Sequence, residues 1–509
     1  MNQRHVVIIV LLAFVSVLLF SNDSFLYDIS SHYDSSWFYN CGQWMVDGLS
    51  PYVDYADSKG PLLFLIYGLS SILAPHNHLG VCLFSFISYL TAYVFSYRTL
   101  LLWFEEQKCI MGTILMMILY WNPFFLSETR AEHFTFPLVA ACLYYLMKSL
   151  CGSSDCRSFV NGFVLGLSVI ASFLLKWSIC VMFFGFGFSF MYLAFKNKSV
   201  VRFLTGIVIG VAVFAIPFAV YLELVSGVGH FFEEYVLNVV QTVSKPLGET
   251  LWAYCKEWVK LFLSRRIIFV AYILCAVVFF RRKEGGWKNA ALFLLAAFGF
   301  LSIGIHTDDF LMYLTPMSSM GVFAVAMFLD FVDGRKLQVR GGLRRIIMAM
   351  AVLHAVWIIF IGRSSCLFCL NQDYRDEFYR AAYCVGQIDA PLFLNFGNET
   401  GVGLAVADVQ PACRYWSYQR GSTERMKQMQ VDCLHSCKPD FVTLQFWVDN
   451  MTRTEIESCG YHFVAHFGYT DLFTKHDVSP APESLHVSDA DVLLKRNIRT
   501  LFYKEKRSR

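Results

Sequence analysis

"DYADSKGPLLFLIY", residues 54–67, carries two acids and a lysine straight into an apolar run that continues to residue 74. A helix needs about 20 apolar residues to span the hydrocarbon of a bilayer. The run at 61–74 is shorter, and whether it crosses fixes the side on which every later loop lies. Gly48, Pro51, Gly60 and Pro61 are turn and helix-start residues around it. Lys59 therefore stands at a membrane edge. It reads either as a snorkelling lysine paired with Asp57 or as an ammonium aimed at a phosphate in the headgroup layer.

The whole chain agrees with a membrane setting. Its 509 residues are 56% hydrophobic and only 16% charged, with mean hydropathy +0.48. Soluble domains carry about 25% charged residues, so the chain reads as an integral membrane protein. A net charge of +3 is too small to point to nucleic acid as a partner. Residues 6–20, "VVIIVLLAFVSVLLF", follow Arg4 without a small-residue cleavage site, so a retained first helix is expected.

Further apolar runs lie near 79–98, 109–127, 134–150, 159–175, 177–195, 203–224, 266–280, 287–304, 309–329 and 345–361. Lysine and arginine arbitrate the sidedness, because they accumulate in cytoplasmic loops. If 61–74 does not cross, the inside loops hold 16 of them, from Arg98 to Arg345, against 7 in the outer connections. A crossing reverses that ratio. The expected fold class is an α-helical polytopic membrane protein of about eleven spans, amino terminus inside, with a small C-terminal extracytoplasmic α/β domain. The expected division is a transmembrane module at 1–361, with a first outer loop at 23–78, and a soluble domain at 362–509. In that domain helical stretches alternate with the strand-like "PLFLNF", "DFVTLQF" and "YHFVAHF". Its cysteines include Cys366-x2-Cys369 and Cys433-x3-Cys437. A zinc site fits such spacing, but disulfides fit better if the region faces an oxidising compartment.

Several polar groups need a reason. In "YDSSWFYNCGQWMVDG", Trp37, Phe38, Cys41, Trp44 and Met45 fall at helical spacing, as in a short helix on the membrane surface. Asp34 opens this helix and shares a face with Phe38 and Cys41, so it reads both as an N-cap and as an acid turned toward apolar neighbours. "SETRAEHF" packs Arg130 and Glu132 into a short outer connection, where charges pair or mark a site. Lys176 lies alone in an apolar hairpin and calls for an anionic partner, a carboxylate or a phosphate. "GIHTDDFLMYLTP" puts His306, Asp308, Asp309 and Tyr313 at another outer edge; a solvated loop is the default reading there. All these charges fall on one side by the lysine and arginine count.

The order of a first apolar helix, "YDSSWFYNCGQWMVDGLSPY" and "DYADSKGPLLFLIY" resembles the polytopic GT-C glycosyltransferases. Within them it is similar to the protein-mannosyltransferase and lipid A aminoarabinose-transferase superfamily. An early acid corresponds to Asp34, a Gly-x-x-Pro-Tyr turn to Gly48–Tyr52, and a Lys-Pro-Pro-Leu segment to Lys59-Gly60-Pro61-Leu62. "TRAEHFTFPL", "LLKWS" and "HTDDFLMYLTPM" are softer matches, and the resemblance covers about residues 1–361. It implies an inverting transfer of a sugar from a polyprenyl-phosphate donor to a glycan, lipid or protein acceptor at the outer face. Asp34 is then the catalytic base; Lys59, Arg130 and Lys176 bind the donor phosphate; Asp57, Glu132, His306 and Tyr313 position substrate. No cofactor is certain. Asp34-Ser35 replaces the Asp-Glu pair of many relatives, which leaves a divalent metal open. Membrane lipid is a partner, and the expected place is a bacterial cytoplasmic membrane with site and C-terminal domain periplasmic. A transporter or flippase of an anionic lipid-linked substrate, or a scaffold presenting residues 362–509, are the competing readings.

Overall fold

Backbone amides in hydrocarbon must bond within their own segment, so the apolar runs fold as helices. The computed structural model describes residues 2–21, 24, 33–75, 79–120, 130–151, 157–238, 252, 256, 267–283, 286–301, 312–334, 353, 380–397, 408–417, 423–445, 448, 451–467 and 470–482. Among them, six helical segments are long and apolar enough to cross a membrane: α4 (Leu79–Leu100), α6 (Ala131–Cys151), α7 (Ser158–Leu175), Trp177–Lys196, which ends in α8 (Phe183–Lys196), α9 (Val200–Val225) and Thr315–Val332. The chain is an integral membrane protein. The expected spans at 6–22, 109–127, 266–280 and 287–304 fall on four further helices, α1 (Gln3–Phe20), α5 (Glu106–Tyr120), Ile267–Lys283 and Gly286–Leu301. The run at 345–361 lies outside the described residues apart from residue 353. A helix does form over the opening run, Pro61–Leu73. Its 13 residues rise about 20 Å, short of a hydrocarbon core about 30 Å thick.

The chain divides into two compact units, each built from separated stretches. One holds residues 1–21, 85–218 and 245–365. Here α7 (Ser158–Leu175) crosses α9 (Val200–Val225) along Gly162, Gly166, Gly206 and Gly210. A Cβ on Gly162 would stand 2.0 Å from the Phe203 carbonyl oxygen, and one on Gly206 2.2 Å from that of Phe159. Small residues permit this approach, which in lipid replaces the missing hydrophobic drive. At the end of α7 the backbone of Lys176 turns extended (φ −163°) before a 3₁₀ helix over Trp177–Met182.

The other unit holds 22–84, 219–244 and 366–509. Helices α2 (Tyr33–Val46) and α3 (Pro61–Leu73) cross at Gly42 and Gly68. Trp37, Phe38, Cys41 and Trp44 of α2 are buried in protein, so the helix does not rest its apolar face on lipid as expected from sequence. One α-turn, Val228–Phe231, runs into a π-helix over Phe232–Leu237. The C-terminal stretch forms a five-stranded mixed sheet, in spatial order β2-β1-β3-β5-β4. The strands are β1 (Leu392–Phe396), β2 (Gln410–Pro411), β3 (Phe441–Gln445), β4 (His462–Phe467) and β5 (Thr470–Thr474). β1 runs parallel to β2 and β3, while β5 is antiparallel to β3 and β4. Leu434 from the helix Glu424–His435 and Ile456 from the helix Arg453–Ser458 pack on Leu394, Phe396, Val442 and Phe473 of the sheet.

At the α2–α3 crossing a Cβ on Gly42 would lie 2.4 Å from the Gly68 amide nitrogen and 2.7 Å from the Phe64 carbonyl oxygen. Both are backbone atoms and cannot swing away. Gly42→Ala is expected to cost at least about 1–3 kcal/mol through overpacking, read as a lower thermal midpoint in detergent. An unchanged midpoint would show that the two helices separate freely.

Candidate functional site

Asp34 lies in the first turn of α2, inside the helix and not ahead of it as its cap. An acid there is favoured by the helix dipole. On leaving α2 the chain makes the Pro51–Tyr55 turn, in which Tyr52 takes a left-handed backbone (φ +69°). Such a conformation costs about 1–3 kcal/mol in a non-glycine residue and persists only when its surroundings hold it. The Tyr52 hydroxyl donates to the Lys59 carbonyl (2.8 Å), and the Tyr55 hydroxyl to the Cys41 carbonyl (2.8 Å). Asp54 accepts from the Ser50 amide (2.7 Å), which assigns it to closing the turn.

This turn delivers Asp57 into the interior, where it is 6% exposed. The Trp37 indole N–H donates to its Oδ2, and the Lys59 amide donates to Oδ1 at 2.8 Å. The Lys59 ammonium stands 3.9 Å from Oδ1, donates to Ser58 Oγ at 3.2 Å and lies 5.5 Å from the centre of the Phe38 ring. Burial raises the Asp57 pKa above the ordinary carboxyl value; Lys59 and Trp37 oppose this, and the Asp34 charge adds to it. The structure thus brings Asp57 and Lys59 together, with Asp34 near enough for its charge to act on Asp57, and holds Lys59 at ion-pair distance from a carboxyl that burial inclines toward its proton.

Trp37 is braced in turn. It packs on Trp416 (ring centroids 4.5 Å apart), and Trp416 meets Trp44 edge-on (4.8 Å). The neighbouring Arg414 pairs with Glu234 of the π-helix at 2.7 Å, and the Tyr415 hydroxyl donates to both Glu234 oxygens at 2.8 and 3.0 Å. Sequence reading counted Trp37 and Trp44 as apolar surface and passed over Glu234, Arg414, Tyr415 and Trp416. A buried indole N–H requires an acceptor, and that rule was the available signal for linking Trp37 to an acid.

A second charged group belongs to the other unit. The Lys176 ammonium donates to Glu132 Oε1 at 2.9 Å, and both side chains are largely buried. The anion that Lys176 called for is therefore a carboxylate. Arg130, also buried, precedes α6 (Ala131–Cys151), and its carbonyl accepts from the His133 amide at 3.0 Å. His133 Nε2 lies 2.9 Å from Ser85 Oγ. Tyr313 falls in the 3₁₀ helix Met312–Met320, and His306 lies outside the described residues. Among the described residues no three His, Cys, Asp or Glu side chains converge.

No family model and no curated protein matches the chain. Solved structures do. ArnT from Cupriavidus metallidurans, a GT-C glycosyltransferase solved bound to undecaprenyl phosphate, aligns over 95% of this chain and 98% of its own, with TM-score 0.60 and 10% identity. The Archaeoglobus fulgidus oligosaccharyltransferase in complex with Zn and sulfate aligns over 91% of this chain and 72% of its own, with TM-score 0.46 and 13% identity. The chain shares its fold with ArnT.

Two outcomes follow from the charges. Because folding raises the Asp57 pKa, its stabilising contribution is fully present below the unfolded value of about 3.9 and is lost as pH rises through the folded value. The thermal midpoint of the wild type relative to Asp57→Asn should fall across that window and then level; a difference that grows in favour of the wild type with rising pH contradicts the burial argument. For the second pair, Lys176→Met strands a buried Glu132 carboxylate and should cost roughly 3–5 kcal/mol. Adding Glu132→Gln should recover most of that loss in detergent unfolding, whereas equal midpoints for the single and double variants would show that the pair is not coupled.

Proposed function

We propose that the protein is an inverting glycosyltransferase that moves a sugar from a polyprenyl-phosphate donor to a glycan, lipid or protein acceptor at the outer face of a bacterial cytoplasmic membrane. The pairing of Asp57 with Lys59, within reach of the Asp34 charge, carries this reading. The fold shared with ArnT supports it, as does the undecaprenyl phosphate bound to that protein. The eleven-span topology with an inside amino terminus belongs to the same proposal, and the modest length of α3 favours it.

The chemistry is one displacement. An acceptor hydroxyl attacks the anomeric carbon, and its proton passes to the Asp34 carboxylate as the new C–O bond forms. The bond from that carbon to the lipid phosphate breaks, and the phosphate leaves with the electron pair. Lys59 receives this growing charge. Its standing neighbour, Asp57, holds it at only 3.9 Å, so the ammonium can turn to a phosphate oxygen without abandoning a short ion pair. In a water-poor site such a contact is worth far more than in solution. Asp57 positions Lys59 through the Lys59 amide and ties both to Trp37. Arg130 and Lys176 remain proposed phosphate contacts; Lys176 would exchange Glu132 for the phosphate. Glu132, His306 and Tyr313 remain proposed positioning residues.

Lipids that co-purify with the gently extracted protein test the donor site without knowledge of the acceptor. Mass spectrometry should find a polyprenyl-phosphate sugar enriched in the wild type and depleted in Lys59→Met, and its mass names the sugar. Asp34→Asn should retain the lipid and, once an acceptor is in hand, lose about 10²–10⁴-fold in rate. Bulk phospholipid alone in wild type and variant, at matched folding and yield, removes the Lys59 assignment and favours transport or scaffolding.

A further inference from the structure

Five of the described cysteines lie in the C-terminal stretch, and they are not equivalent. Cys384 donates to the Ser479 carbonyl at 3.9 Å, and Cys437 to the Cys459 carbonyl at 3.6 Å. Cys413 and Cys433 instead meet thiol to thiol, joined by a side-chain hydrogen bond. Both belong to the core between the sheet and its helices, where they pack with Leu394, Ala412 and Leu434. Cys413 lies two residues beyond the end of β2, and Cys433 sits in the last turn of the helix Glu424–His435.

We propose that Cys413 and Cys433 form a disulfide that fastens the strap 410–417 to this helix. The inference rests on the outward placement of the C-terminal residues proposed above, because disulfides persist in oxidising compartments. Oxidation removes two protons and two electrons from the thiols. The acceptor is the exchange-active disulfide of an exported thiol oxidase: one thiolate attacks it, the mixed disulfide is resolved by the second thiol, and the oxidase leaves as a dithiol.

The strap carries the groups that brace the candidate site. Its Arg414 and Tyr415 hold Glu234, the Arg414 carbonyl accepts from the Ala56 amide at 2.8 Å, and Trp416 packs on Trp37. Trp37 in turn donates to Asp57. A covalent anchor beside Arg414 fixes the register of all three residues.

The test is made on the full-length protein in membranes, alkylated under denaturing conditions before and after reduction and then mapped by mass spectrometry. The expected result is a cross-linked peptide joining Cys413 to Cys433 and two alkyl groups gained at these positions only on reduction. Alkylation of both without reductant overturns the proposal, and so does a cross-link from Cys413 to Cys437. Purified, reduced protein treated with oxidised glutathione identifies which premise failed. A Cys413–Cys433 bridge formed there by a protein whose native thiols are free rejects the outward placement; no bridge in either arm rejects the pairing itself.

Discussion

A carboxyl group has been taken out of water at Asp57, and the connection between α2 and α3 is arranged around that fact. An unpaired buried carboxylate is so costly that it either finds partners or takes up a proton. Asp57 does some of both. Trp37 and the Lys59 amide satisfy its oxygens, the Lys59 ammonium stays at 3.9 Å, and burial still wins the balance and raises the pKa. The left-handed Tyr52 and the Gly60-Pro61 start of α3 are what aim Asp57 inward and leave Lys59 partly exposed. The Lys59 ammonium is thereby held at ion-pair distance without a short ion pair to that carboxyl.

Positioning at this level demands a stiff support. Backbone contact between α2 and α3 at Gly42 and Gly68 sets the distance between the helix that bears Asp34 and the helix that begins just after Lys59. The stack of Trp37, Trp416 and Trp44 adds a second constraint from a strap far along the chain. Glu234 contributes a third. A carboxylate in a π-helix, an irregularity common at functional positions, it accepts from Arg414 and Tyr415. In the transmembrane unit the contrast is instructive: Lys176 makes a direct 2.9 Å pair with Glu132, a closed arrangement where Lys59 has an open one.

Much of the fold was legible from periodicity and composition. Long apolar runs gave helices at 131–151, 158–175 and 200–225, and "PLFLNF", "DFVTLQF" and "YHFVAHF" each became a strand. The glycines of α7 and α9, spaced four apart, were in view but were not read as a helix crossing. β2 escaped because two residues carry too little pattern, and β5, which only two residues part from β4, was not separated from it. Asp34, Asp57 and Lys59 were identified as candidates from their place at a membrane edge, yet nothing local told Asp54, which closes a turn, from Asp57, which enters the interior.

By itself the sequence determined which segments are too apolar for water, which residues turn the chain and which charges sit beside those segments, because hydropathy and backbone preference are local properties. Tertiary structure decided the partners. That Trp37 donates to Asp57, that Lys176 meets Glu132, and that Trp416 reaches Trp37 all depend on which surfaces fold together across tens or hundreds of residues. The state of a charge follows from the same source, since burial and neighbouring groups shift a pKa and residue type alone does not.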